Sequence, residues 1–288
     1  MSLFTKTSSL SFTAACFWKE SILNAFFESV AERQRTINSL LCVGLDPEPA
    51  KIPERYQRLD RPIFEFCKDV IDATHEFVSC YKPQFAHFAA ADALGDLRDL
   101  MVLLRSENLP VILDAKRGDV GSTSQYYAKE AFDIYDAGAV TVNPYLGGDS
   151  LTPFLERSDR GVILLCRTSN PGGSDLQNLT LREGRQLFEE VARLASTTWN
   201  ERSNVGLVVG ATRPEELARV RVIVGAMFLL LPGIGAQGGD IQASLEGGKG
   251  GGLIISSSRA ILYPAEATLE AVRSAARDTR DLINEHKR

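Results

Sequence analysis

Residues 110–144, PVILDAKRGDVGSTSQYYAKEAFDIYDAGAVTVNP, decide how the chain is read. An apolar run at 110–116 (PVILDAK) precedes a helical pattern at 122–136, which opens on Ser/Thr residues and stops at Gly138. A second apolar run follows at 139–144 (AVTVNP). Short runs rich in Val, Ile and Leu suit strands of a parallel sheet covered on both faces. Hydroxyl residues at the start and glycine at the end mark a helix between them.

The unit repeats in both directions. Further apolar runs stand at 39–46 (SLLCVGLD), 77–85 (FVSCYKPQF), 161–167 (GVILLCR), 205–211 (VGLVVGA), 227–232 (MFLLLP) and 252–257 (GLIISS). Helical patterns lie between them. Residues 62–75 carry Ile63, Phe66, Cys67, Val70 and Ile71 at helical spacing, and 181–198 carry Leu187, Val191 and Leu194 on one stripe. Residues 94–106, 213–220 and 266–284 fill other slots, and the pattern at 240–246 is short. Eight strand–helix alternations predict an α/β fold, a (β/α)8 TIM barrel in a single domain, with a doubly wound open sheet as the alternative. A length of 288 residues fits one such barrel. Residues 1–38 are expected to form an N-terminal extension and leading helix, and 39–288 the barrel.

Apolar residues make up 44% of the chain, charged residues 24%, and the net charge is -5. This balance gives no electrostatic footprint for nucleic acid, so an anionic ligand must be held by a local cluster of donors. No stretch is long and apolar enough to span a membrane. The segment 1–20 is Ser/Thr-rich, without arginine and with an interrupted apolar run; it is expected to be a frayed extension, and 1–19 dispensable. Of the five cysteines, Cys42, Cys80 and Cys166 sit in apolar runs and read as buried hydrophobes in a reducing compartment, consistent with the cytoplasm. His75, His87 and His286 show no metal-ligand spacing, and neither a metal nor another cofactor is expected.

The active site of such a barrel lies at the C-terminal ends of its strands. The first run ends in Asp46, the second contains Lys82, and the third ends in Asp114-Ala115-Lys116-Arg117-Gly118-Asp119. Asp114 and Lys116 are two apart on a strand, so they face the same way. Buried charges are costly unless paired, and an alternating array of lysine and aspartate satisfies that condition at one mouth. Loops after strands seven and eight often bind phosphate. Here they read PGIGAQGGD (232–240) and SSSRA (256–260), with glycines that let backbone N–H groups approach an anion and Arg259 for a bidentate grip. Gly233, Gly235 and Gly238 match G-x-G-x-x-G, but after the seventh strand and with serines ending the next one, which argues against a dinucleotide fold. The GGKGGG stretch at 247–252 lacks the Lys-Ser/Thr of a P-loop.

In order along 39–262, LCVGLDPEP, YKPQFAHF, LDAKRGDVGSTSQYYA, TVNPYLGGDSLTPF, CRTSNPGG and LPGIGAQGGD resemble the orotidine 5'-monophosphate decarboxylase family, in particular its longer bacterial subgroup (type 2). The Asp-x-Lys-x-x-Asp core is shared more widely; the extended DAKRGD-x-GST form is much more specific. The resemblance implies cofactor-free decarboxylation of orotidine 5'-monophosphate (OMP) to uridine 5'-monophosphate (UMP) and CO2, the last step of de novo pyrimidine synthesis. It implies Lys116 as the proton donor to C6, Asp114 beside the substrate carboxylate, and Asp119 lent by the partner subunit of a homodimer with shared active sites. Thr123 is implied as a cross-subunit ribose contact, Asp46 and Lys82 as ribose contacts, Ser169 as the reader of the pyrimidine edge, and Gln237 and Arg259 as phosphate contacts. Many members carry glycine where this chain has Ser258. The rival reading is a metal-dependent sugar-phosphate lyase of the same suprafamily, which needs an extra acidic ligand; Asn143, Arg167, Ala211 and Ser256 at the later strand ends supply none.

Overall fold

The structure, a computed structural model, describes residues 24–233 and 240–287. Its strands are β1 (Leu41–Leu45), β2 (Cys80–Pro83), β3 (Ile112–Arg117), β4 (Ala139–Val142), β5 (Gly161–Arg167), β6 (Val205–Val209), β7 (Leu229–Pro232) and β8 (Leu253–Ser257). All neighbouring pairs are parallel, in the order β2-β1-β8-β7-β6-β5-β4-β3. The ring closes between β2 and β3 through two isolated parallel bridges, Tyr81 to Val111 and Gln84 to Asp114. A helix leads into β1: α1 (Ala25–Thr36). One main helix then follows each strand: α2 (Pro62–Thr74), α3 (Leu94–Ser106), α4 (Gly121–Lys129), α5 (Gly148–Leu155), α6 (Leu187–Thr197), α7 (Pro214–Val224), α8 (Ile241–Gly248) and α9 (Leu269–His286). This is the (β/α)8 barrel, and the open-sheet alternative falls with the closure.

Three helix boundaries differ from the sequence pattern, each for a local reason. The serines expected to cap α4 do not do so. Val120 precedes the helix without a side-chain cap, and the Ser124 hydroxyl donates instead to the Ser150 carbonyl of α5. After Lys129 the helix widens into a π turn, Glu130–Ile134, whose Glu130 takes a bidentate grip from Arg117 at 2.9 and 3.0 Å. Helix α6 starts later than the 181–198 pattern, because Gly184 turns the chain at φ +83° and the Glu189 carboxylate, accepting from the Gln186 amide at 2.8 Å, fixes the start at Leu187. The short pattern after β7 is a true helix, α8, with the Asp240 side chain accepting from the Ala243 amide at 3.0 Å.

Two apolar clusters divide the interior. The larger one fills the space between the strands and their helices. The smaller one takes one side chain from each strand: Cys42, Cys80, Ile112, Ala139, Ile163, Val208, Leu230 and Ile254. These line the inside of the barrel. Phe26, Phe27 and Val30 of α1 complete that cluster, so the leading helix plugs the N-terminal end. Phe27 stacks on Phe228 with ring centroids 4.9 Å apart. A Cβ at Gly161 would lie 2.7 Å from Phe26, and one at Gly206 2.9 Å from Phe27, so strand-start glycines make room for the plug.

Cys42, Cys67, Cys80 and Cys166 are buried and unpaired. No described helix is long and apolar enough to cross a membrane. Residues 1–19, with Cys16, lie outside the described residues.

Phe27 is 1% exposed, and truncating it opens a cavity at the barrel floor. Phe27→Ala should therefore cost about 3–5 kcal/mol in urea unfolding of the full chain. A loss below about 1 kcal/mol would show that the floor is sealed without the plug.

Candidate active site

The first three strands deliver their charges to one place. Asp114, 5% exposed within β3, is the centre. Its Oδ2 accepts from Lys82 Nζ at 2.7 Å and Gln84 Nε2 at 3.0 Å. Its Oδ1 accepts from Lys116 Nζ at 2.6 Å and Thr141 Oγ1 at 2.8 Å. A carboxylate offers about four acceptor positions. All are taken, so Asp114 is a fixed negative charge with no capacity left to serve as a base.

The two lysines are unequal. Lys82 is buried on β2, whereas the Lys116 side chain is 46% exposed and looks out of the mouth. Burial by itself would push the Lys82 ammonium down; Asp114 and then Asp46 outweigh it and hold its pKa well above the ordinary lysine value. Burial would likewise raise Asp114, but Lys82 and then Lys116 hold it well below the usual carboxylate range.

Lys116 sits at φ +45°, in the left-handed region that a side-chain-bearing residue adopts at a cost of about 1–2 kcal/mol. It lies where the β3–β4 register shifts, between Leu113 and Arg117. Its amide donates to Thr141 Oγ1 at 3.0 Å, the same hydroxyl that donates to Asp114. The irregularity turns the Lys116 side chain into the mouth, as bulges near active sites do.

Asp46 follows β1. Its Oδ2 accepts from Ser258 Oγ at 2.6 Å, and its Oδ1 is buried with no hydrogen-bond partner among the described residues. Ser169 lies in the loop after β5, which is anchored by Arg167, 1% exposed. That guanidinium donates to Glu216 at 2.7 Å, the Thr168 carbonyl at 2.9 Å and Gln177 Oε1 at 3.0 Å. Arg259 is exposed on the first turn after β8.

Two expected site residues stand apart from the array within this chain. The Asp119 carboxylate accepts from the Val120 amide at 2.7 Å, and Thr123 is exposed on α4. Gln237 lies outside the described residues. Gln84, Thr141 and Arg167 were not singled out from the sequence as site residues. Gln84 could have been, since it stands two residues after Lys82 on the same strand face.

Asp114→Asn would leave Lys82 buried without its nearest counter-charge, and should cost about 3 kcal/mol at pH 7. Asp114 is depressed in the folded state, so its contribution is present above the unfolded carboxylate value of about 3.9 and lost as pH falls through and below it. Lys82 is raised, so its contribution is present below its unfolded value of about 10.4 and lost only above it. The stability gap between wild type and Asp114→Asn in urea unfolding should be level from about pH 5 to 9 and narrow below about pH 4. A gap independent of pH in the acid range would contradict this assignment.

The profile of the Orotidine 5'-phosphate decarboxylase / HUMPS family matches residues 39–275. The chain is 54% identical over 269 residues to the orotidine 5'-phosphate decarboxylase of Aromatoleum aromaticum, covering 91% of this chain and 99% of that one. It is 57% identical over 254 residues to that of Dechloromonas aromatica, covering 86% and 94%. The solved OMP decarboxylase of Leishmania donovani superposes with a TM-score of 0.79 at 40% identity, over 91% of this chain and 98% of that one. With match, identity and coverage all extending over the barrel that carries the lysine–aspartate array, the chain belongs to the Orotidine 5'-phosphate decarboxylase / HUMPS family.

Proposed function

We infer that the chain decarboxylates OMP to UMP and CO2. The observation that carries this reading, beside the family, is the Lys82–Asp114–Lys116 array at the barrel mouth. The relatives carry the decarboxylase name, and nothing among them favours the metal-dependent lyase.

The C6–carboxylate bond breaks with its electron pair left on C6, and CO2 departs. The resulting carbanion lies in the ring plane and cannot be delocalised, so fixed charge aimed at C6 is the available stabilisation. Lys116 supplies it. Its ammonium, exposed at the mouth, stabilises the carbanion and passes one Nζ proton to C6; the amine then regains a proton from solvent. Asp114, saturated by donors, keeps the Lys116 side chain aimed. It also sets a negative charge beside the substrate carboxylate, the lesser effect.

The other roles extend this reading. Lys82 and Asp46 meet the ribose, Ser169 reads the pyrimidine edge, and Gln237 and Arg259 hold the phosphate. The phosphate is remote from C6, so its binding energy serves to close the loops over the substrate. Four buried thiols fit a reducing, cytoplasmic setting.

The site is shared across a homodimer. Two observations support this. Asp119 makes no ion pair with Lys116 in its own chain, and exposed apolar side chains stand next to it at Val120, on the helix that follows and on the turn after β4. Val120 is 53% exposed, Tyr126 72%, Tyr145 74% and Leu146 43%, apolar surface that a partner subunit would cover.

The purified protein should consume OMP and release UMP, before and after EDTA dialysis. Lys116→Ala and Asp119→Ala should each be nearly inactive. Mixed with proven subunit exchange, they should recover about a quarter of wild-type activity, since half the dimers carry one intact site. No conversion of OMP would end the functional reading, and no recovery on mixing would end the shared site.

A further inference from the structure

The Ser258 hydroxyl is a built part of the site. Ser258 follows β8, directly before Arg259, and β8 runs beside β1 with Ser257 opposite Val43. Its Oγ donates to Asp46 Oδ2 at 2.6 Å. Gly44 makes this approach possible, since a Cβ there would lie 2.9 Å from Ser258 Cβ and 3.3 Å from Asp46 Oδ1. The backbone at Asp46 is held as well, with the Tyr263 hydroxyl donating to its carbonyl at 3.2 Å and accepting from the Glu48 amide at 2.7 Å.

The torsion that turns an aspartate carboxylate has only a broad preference, so its oxygens need an outside contact to be aimed. Here one oxygen is tied to Ser258. The other, Oδ1, is buried and has no donor among the described residues. A buried acceptor without a donor is rare and calls for a ligand group to complete it.

We propose that Ser258 is a positioning residue that sets the Asp46 carboxylate with Oδ1 ready to accept from a ribose hydroxyl of the substrate. It thereby links the phosphate-binding turn to the sugar subsite. The inference rests on the reading of Asp46 as a ribose contact. In this role the Ser258 hydroxyl acts through Asp46, on which it is spent, rather than on the substrate. The link is mechanical as well as electrostatic: any movement of the turn on phosphate binding moves the hydroxyl that aims Asp46.

The test compares wild type, Ser258→Ala, Ser258→Gly and Asp46→Asn on OMP and on its 2'-deoxy and 3'-deoxy analogues, with thermal unfolding of each variant as the folding control. Loss of a hydrogen bond to a charged group should lower kcat/KM for OMP about tenfold in both Ser258 variants. On the analogue that lacks the hydroxyl received by Asp46, that penalty should shrink to within about twofold, because the coupled partner is gone. The same analogue should be the one on which the Asp46→Asn penalty shrinks. If the Ser258 penalty is equal on all three substrates while the Asp46→Asn penalty shrinks, Ser258 is merely structural and the proposal is overturned. If the Asp46→Asn penalty is equal on all three, the ribose reading of Asp46 fails and the proposal falls with it.

Discussion

A carboxylate buried between two ammonium groups is the constraint on which the rest of this molecule depends. Asp114 is viable inside the barrel mouth because Lys82, Gln84, Lys116 and Thr141 occupy its oxygens. Each donor comes from a particular place in the fold. Lys82 and Gln84 stand on β2 and just past it, Lys116 on β3, and Thr141 on β4. Any of these strands displaced by a residue would leave a charge uncompensated in a desolvated site, which costs far more than the pairing gains. The barrel's closure therefore coincides with its chemistry: the bridge from Gln84 to Asp114 is one of the two that join β2 to β3.

The two ends of the barrel divide the labour. At the floor, Phe26 and Phe27 of α1 fill the lumen against one apolar side chain from each strand. At the mouth the same strands end in Asp46, Lys82, Lys116, Ser169 and Arg259, or in the loops that carry them. A dry, rigid floor gives the strands a fixed stagger, and the stagger sets the distances at the mouth. The Lys116 backbone shows where regularity yields to function, since a left-handed lysine at a register shift serves no packing purpose of its own.

Much of this is legible in the sequence. Continuous apolar runs separated by helical stripes specify strands covered on both faces, and that pattern survives because almost every strand position is buried. Asp114 and Lys116 stood out because charges at the ends of apolar runs have no packing role. What escaped was set by contacts distant in sequence. Gln84 and Thr141 are ordinary polar residues until the ring closes and brings them to Asp114. Phe26 and Phe27 read only as part of a leading helix, because nothing local says that the helix turns into the lumen. The start of α6 depends on Gly184 and on the Glu189 carboxylate reaching back to the Gln186 amide rather than on apolar periodicity. The Asp119 carboxylate accepts from the Val120 amide rather than joining the array, a local contact that its place in the motif does not announce.

The central claim is that Lys116 delivers and withdraws the proton at C6 through a carbanion stabilised by the array. Microscopic reversibility makes it directly measurable: UMP held in D2O with the protein should exchange its C6 hydrogen for deuterium, followed by proton NMR. The account predicts exchange with the wild-type chain and none above the protein-free background with Lys116→Ala. Exchange undiminished in Lys116→Ala, or absent in a wild-type chain that is otherwise active, would contradict it.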